Sequence, residues 1–226
     1  MLMKADAAVE TAQPPAGMSL PRQWAATTLQ TVCETITDGD HLPPPKSDEG
    51  VPFLVIGNVR HQVIDFTETR FVAQAYYEAL DTSRRPRTGD LLYTLVGSFG
   101  IPVVVRDNRP FCVQRHIGIL RPCPEISVSY LARLMESSLL LQQAHACATG
   151  IAQKTVPLSG LRKFVLSLPP LAEQHRIVAK VGELMSLCDA LEASLTTAST
   201  TRVRLLEATL REALLPAEET LLEAAQ

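Results

Sequence analysis

The sequence predicts an α+β protein, a small mixed-strand domain followed by a long C-terminal coiled-coil-forming helix. Three observations predict it. The middle of the chain is a series of short β-rich runs punctuated by Gly, Pro and Asp, with two helical stretches among them. From Ile177 onward, apolar residues recur at gaps that alternate four and three, a heptad seam rather than a broad globular face. The chain has 226 residues and is 46% hydrophobic, enough for one mid-sized core plus an extension.

These features divide the chain into residues 1–19, 20–168, 169–215 and 216–226. Residues 1–19 are Ala/Pro-rich and lack the apolar core of a signal peptide, so a disordered leader is expected there. Pro21-Arg22-Gln23-Trp24, with the single tryptophan, suits an anchor onto the core. Thr31 to His41 is broken by the Asp38-Gly39-Asp40 turn, and Pro43-Pro44-Pro45 makes a stiff loop before Lys46. Val51 to Val59 reads as a strand, Val63 to Phe66 as its short partner, and Phe71 to Leu80 as a short helix around Tyr76 and Tyr77. Leu91 to Leu95 and Ile101 to Val105 are β runs joined by the loop Gly97-Ser98-Phe99-Gly100. Phe111 to Leu120 reads as one strand with Gln114, Arg115 and His116 in its middle. Ser127 to Cys147 reads as one amphipathic helix, and Leu161 to Leu168 as a last strand.

The final element is a helix over 169–215. Pro169 and Pro170 stand at its start, where a missing N–H costs nothing, and Glu173 in the first turn suits the helix dipole. The seam runs through Ile177, Val181, Leu184, Cys188, Leu191, Leu195 and Ala198. It shifts phase at Arg202 and resumes at Val203, Leu206, Leu210 and Leu214, as a stutter allows. A helix with one apolar stripe over this length calls for another helix to cover it. Packing on its own domain is the alternative.

Composition narrows the function. The five cysteines are scattered without CxxC spacing, so neither a disulfide framework nor a zinc site is indicated, as fits a reducing cytoplasm. No apolar run is long enough for a membrane span. The net charge of −3 conceals a pattern: residues 51–170 carry thirteen basic and eight acidic side chains, a local +5. That places positive charge where a phosphate-facing surface needs it, although an ordinary solvated surface gives the same count. Arg84, Arg85 and Arg87 are the densest basic cluster and suit phosphate contact or a solvated turn. His41, Lys46 and Lys154 are further candidates for phosphate or base contact. Asn58, Arg60, Gln114 and Gln153 present two hydrogen-bonding groups, as base edges require, and Ser98 lies in a loop whose glycines permit close approach.

Several segments together resemble the specificity (S) subunits of type I restriction–modification systems, in a form with one target-recognition domain. Pro21-Arg22-Gln23-Trp24 is similar to the family's P-x-x-W start, and Ile36-Thr37-Asp38-Gly39-Asp40-His41 to its I-T-D-G-x-H loop. Gly89-Asp90-Leu91-Leu92 with Gly97-Ser98-Phe99-Gly100 is similar to G-D-[IL]-L…G-x-x-G, and Gly150-Ile151-Ala152-Gln153-Lys154 to G-x-x-Q-K. Leu168-Pro169-Pro170-Leu171-Ala172-Glu173-Gln174-His175-Arg176-Ile177 is close to the L-P-P-L-x-E-Q-x-x-I signature of the spacer helix, and is the most specific match.

The resemblance implies a non-catalytic subunit that binds double-stranded DNA in the cytoplasm. Methylation is implied for partner M subunits using S-adenosylmethionine, and cleavage for R subunits using ATP and Mg. No cofactor is implied for this chain. The usual S subunit carries two domain–helix units, whereas no internal repeat is found here. A homodimer of half-subunits is therefore expected, its helices paired antiparallel through Ile177, Val181, Leu184, Leu191, Leu195, Leu206 and Leu210. Pairing with a second, different half-S subunit is the alternative. Of the rival classes, a self-contained methyltransferase or nuclease lacks its motifs, since Leu168-Pro169-Pro170-Leu171 has neither the polar nor the aromatic end of [ND]-P-P-[YF]. A coiled-coil adaptor for proteins, or an inactive specificity-cassette fragment, stays open.

Overall fold

The computed structural model describes residues 19–41, 44–45, 47–60 and 63–223, and Lys46 lies outside them. It divides into a unit that ends at Val178 and a second that begins at Ala179.

In the first unit the chain opens with β1 (Ala25–Thr28) and β2 (Cys33–Asp38). Then come β3 (Val51–Leu54), β4 (Val59–Arg60), β5 (Val63–Ile64) and β6 (Arg70–Val72). Helix α1 (Gln74–Ala79) is followed by β7 (Leu91–Thr94), β8 (Pro102–Val104), β9 (Cys112–Val113) and β10 (Ile117–Pro122). Helices α2 (Val128–Met135), α3 (Ser138–Cys147) and α4 (Leu158–Leu161) precede β11 (Val165–Leu168).

The centre is a four-stranded antiparallel sheet in the order β2-β10-β7-β8. Both faces are covered, which is why β7 and most of β10 are buried at every residue instead of alternating with solvent. The period-two rule still sorts them. Leu91, Tyr93 and Leu120 join the larger core with Leu131, Met135 and Leu140 of α2 and α3. Leu92, Ile117 and Ile119 face the other way, into a second core with Leu54, Val103 and Phe111. A three-stranded sheet in the order β6-β3-β9 carries a third small core around Phe53 and Val72.

The architecture agrees with the α+β expectation, and several elements differ from it in their bounds. The run Val51 to Val59 is a strand only to Leu54, because Ile56–Asn58 folds into a tight helical turn. Phe71 and Val72 are strand, and the helix starts after them. The run Phe111 to Leu120 is two strands, because Ile117 N–H donates to the Gln114 carbonyl (2.9 Å) and closes a turn over Arg115 and His116. Ser127 to Cys147 is two helices: Ser127 caps the first through Tyr130 N–H, and Ser137 caps the second through Leu140 N–H. The last strand starts at Val165, since Leu158–Leu161 is helical.

The last helix, α5, runs Leu171–Glu223 and is about 80 Å long. Its first two turns belong to the globular unit. The Pro170 carbonyl accepts from Glu173 N–H (2.8 Å) and Gln174 N–H (3.0 Å), so the proline precedes the helix and starts it. Gln174 is buried; its Oε1 accepts from Ser127 N–H (2.9 Å) and its Nε2 donates to the Pro169 carbonyl (3.0 Å). This gives the Glu-Gln of the spacer signature a physical reason: the glutamine supplies a partner to the first amide of the α2 cap. In the second unit Leu184, Leu191, Leu195, Val203, Leu206, Leu210 and Leu214 are each at least 50% exposed, an apolar stripe left uncovered.

Candidate nucleic-acid interface

Three loops of the globular unit meet at an open groove of about 700 Å³, with Arg60, Ser98 and Gln153 in its lining. Each loop is held at its base by hydrogen bonds. Arg60 ends the turn organised by Asn58, whose Oδ1 accepts from Val55 N–H (2.9 Å) and whose Nδ2 donates to the carbonyls of Asp65 (3.1 Å) and Glu68 (3.3 Å). Ser98 sits between β7 and β8, where Thr94 Oγ1 donates to the Ser98 carbonyl (3.0 Å) and accepts from Ile101 N–H (2.9 Å). Gly97 takes the positive φ of +69° that this turn requires. Gln153 belongs to a loop closed where Thr149 and Thr155 exchange backbone hydrogen bonds of 2.9 and 2.8 Å. Gly97 N–H donates to the Lys154 carbonyl (3.0 Å), which joins the second loop to the third.

The groove floor is apolar, with Val59, Val96 and Ile101. Glu136, at its margin, is paired with Arg133 at 3.0 Å, so its charge is compensated. Arg60 and Lys154 are exposed, and neither enters an ion pair among the described residues.

The remaining candidates lie elsewhere or are spent on the fold. Asn58 is buried, with its Oδ1 accepting one hydrogen bond and its Nδ2 donating two within the fold, so it shapes the loop. Arg84 and Arg85 are likewise engaged within the fold. Arg84 donates to the Gly39 carbonyl (2.9 Å) and lies 3.9 and 3.8 Å from Asp38 and Asp40. Arg85 donates to the carbonyls of Leu80 and Glu78 and lies over the Tyr77 ring. Arg87 is exposed but reaches Glu34 at 3.4 Å. The densest basic cluster is therefore tied into the fold, Arg84 and Arg87 by carboxylates and Arg85 by carbonyls. His41 is exposed beside Asp38 at 3.2 Å, close to Arg84 and away from the groove lining. Gln114 is half-buried, bridged to Asp40.

Beneath this turn lies a pair that the sequence reading overlooked. Arg121 Nε and Nη2 donate to the two Asp90 carboxylate oxygens at 2.9 Å each, both residues buried. The bidentate carboxylate holds the arginine's proton more firmly than usual. Asp90 also accepts from Arg87 N–H (3.0 Å), and so fixes the segment that carries the arginines. A second omission is Arg115, exposed on the β9–β10 turn and free of ion pairs among the described residues; the adjacent His116 carbonyl accepts from Leu95 N–H (2.9 Å). Burial, with Arg115 second, lowers the His116 pKa. The available signal was three consecutive polar residues inside an otherwise apolar run.

Comparison with known proteins agrees with this architecture. Residues 21–198 match the family described as the type I restriction modification DNA specificity domain. The specificity subunit of the Escherichia coli type I restriction enzyme EcoBI is 24% identical over 177 residues, 76% of this chain and 37% of that protein. The EcoAI specificity subunit, also from E. coli, is 37% identical over 78 residues, 34% of this chain and 13% of that one. Among solved structures, the HsdS subunit from Thermoanaerobacter tengcongensis shares the fold with a TM-score of 0.60 at 23% identity, covering 80% of this chain and 42% of that one. A chain from a type I restriction–modification assembly gives 0.65 at 22%, covering 85% and 46%. The chain thus spans less than half the length of these relatives. With the family's domain matched from the tryptophan anchor to the middle of the long helix, the chain belongs to the type I restriction modification DNA specificity domain family.

Proposed function

We propose that this chain is a non-catalytic specificity subunit that reads one half of a bipartite site in double-stranded DNA and pairs through α5 with a second copy of itself. Arg60, Lys154 and Arg115 neutralise phosphates and fix register, while Gln153 and Ser98 offer hydrogen bonds to base edges from the groove. Partner M subunits then supply methylation with S-adenosylmethionine, and R subunits cleavage with ATP and Mg.

The observation that carries the pairing is the uncovered stripe of α5. Leu184, Leu191, Leu195, Leu206 and Leu210 are 50–71% exposed. Covering each contributes roughly 1 kcal/mol or more, about 10 kcal/mol over two copies. That is comparable with the roughly 4–15 kcal/mol that association costs in lost freedom. An antiparallel arrangement, as the family resemblance implies, gives a twofold axis, and a twofold protein reads a twofold site. The coil then spaces the two halves.

A modified-base map of DNA from cells that co-express this chain with its neighbouring M subunit tests the proposal. A methylated split palindrome is expected. An asymmetric split site rejects the homodimer in favour of a second half-S subunit. No methylated motif, with the complex shown to assemble, rejects the specificity role.

A further inference from the structure

We infer that Ile151 is a wedge that enters the base stack of the bound duplex beside the groove, an inference that rests on the DNA-reading role proposed above. Among the described residues of the globular unit, the large apolar side chains that stand in solvent are Val63, Ile151 and Leu171, and Ile151 is fully exposed. Leu171 opens α5. The other two neighbour residues that line the groove: Val63, in β5, is the cross-strand partner of Arg60, and Ile151 lies two residues before Gln153.

A single exposed apolar residue is ordinary, and what sets Ile151 apart is how it is presented. The Thr149–Thr155 exchange closes the loop at its base, and Gly97 N–H to the Lys154 carbonyl and Val156 N–H to the Leu95 carbonyl (2.8 Å) tie it to the end of β7. Gly150 holds φ at +102°, and a Cβ there would land on the Gln153 carbonyl, so this tight turn admits glycine alone. The side chain is therefore held out by a clamped backbone, with most of the ordering entropy already spent in folding.

The surroundings select the occupant. The neighbours Gly150 and Ala152 build no apolar patch of the kind a protein interface requires. Gln153 and Lys154 are exposed next to it, and Lys154 enters no ion pair among the described residues. An isolated branched aliphatic tip beside Lys154, on the loop that carries Gln153 to a groove shared with Arg60, matches a polyanion with stacked apolar faces inside. The cations grip the backbone and the tip parts a base step, most readily a flexible pyrimidine–purine step.

The test begins with selection of duplexes from a random-sequence pool on the full-length chain. The selected site is then scanned with a fluorescent adenine analogue that stacking quenches. The wild type is expected to brighten the analogue at one step of each half-site. Ile151→Ala should abolish the signal and weaken retention about tenfold, with an unchanged salt slope because no phosphate contact is lost. Ile151→Met should keep both, and Lys154→Ala should lower the slope by about one while the signal persists. Wild-type brightening and affinity in Ile151→Ala would overturn the inference. So would an Ile151→Ala chain that treats DNA normally but no longer captures the M subunit, which would make Ile151 a protein anchor. A pool that yields no enriched duplex would reject the DNA-reading role itself, and the wedge with it.

Discussion

Replacing Asp90 by alanine asks whether the turn below the arginine cluster rests on one buried ion pair. Asp90 is 1% exposed and Arg121 8%, and two hydrogen bonds of 2.9 Å join them. Removing one member of a buried pair strands the other charge without water, a loss of about 3–5 kcal/mol. The substitution also deprives Arg87 N–H of its acceptor, about 1 kcal/mol more. A total near 4–6 kcal/mol is a large part of the roughly 5–15 kcal/mol that holds a domain folded. At about 2–4 °C per kcal/mol for this size, the melting temperature should fall by roughly 10–20 °C. The double change Asp90→Ala with Arg121→Met strands no charge, so it should lose less than Asp90→Ala alone. Urea unfolding followed by far-ultraviolet circular dichroism gives the free energies for each variant and the coupling between them. A single variant within about 1 kcal/mol of wild type, or losses that simply add, would refute the argument.

Three other expectations follow from the same geometry. Gln174→Ala should destabilise the globular unit by about 2–4 kcal/mol in the same assay, because Ser127 N–H and the Pro169 carbonyl both lose a buried partner. Burial pushes the Cys33 and Cys112 thiols up from the ordinary 9.0 to about 12. Below pH 9 both states keep those protons; between about 9 and 12 the unfolded chain ionises first, so stability should fall as pH rises, and a Cys33→Ala/Cys112→Ala chain should show a shallower fall in its urea midpoint. Leu191→Glu with Leu206→Glu should leave the melt of the globular unit unchanged and abolish the dimer in sedimentation, whereas an unaltered dimer would reject α5 as the interface.

Legibility of the sequence tracked how local the deciding interaction is. The long helix was plain because its period is repeated many times over and its start is written in adjacent residues, Pro170 to Gln174. The central strands β7 and β8 were legible from unbroken apolar runs with glycines between them. The break in the Ser127–Cys147 helix turned on two serine caps, a signal present in the sequence but weaker than the apolar pattern running across it. The surroundings of the site residues are less legible. Arg84 and Arg85 looked like a phosphate patch because charge in sequence says nothing of what faces it, and Asp38, Asp40 and the carbonyls of Leu80 and Glu78 come from other segments. Asn58 has the chemistry of a base reader, and only the fold shows that its amide is consumed by Val55, Asp65 and Glu68. Arg60, Ser98 and Gln153 were singled out from three distant segments, and their meeting at one groove depended on long-range strand pairing.

The three loops share an arrangement with an evolutionary consequence. Each is fastened at its root by groups that contribute nothing to its outer surface: the Asn58 amide, the Thr94 hydroxyl, and the backbone exchange between Thr149 and Thr155. The outward residues, Arg60, Ser98, Ile151 and Gln153, bear no weight in that fastening. Drift can therefore act on them one at a time without a folding penalty, and a change in what the groove binds need not wait for a compensating change in the core. A combinatorial library confined to those positions, with the roots unaltered, should stay folded in nearly every member and, under the proposed DNA-reading role, differ mainly in the sequence it selects.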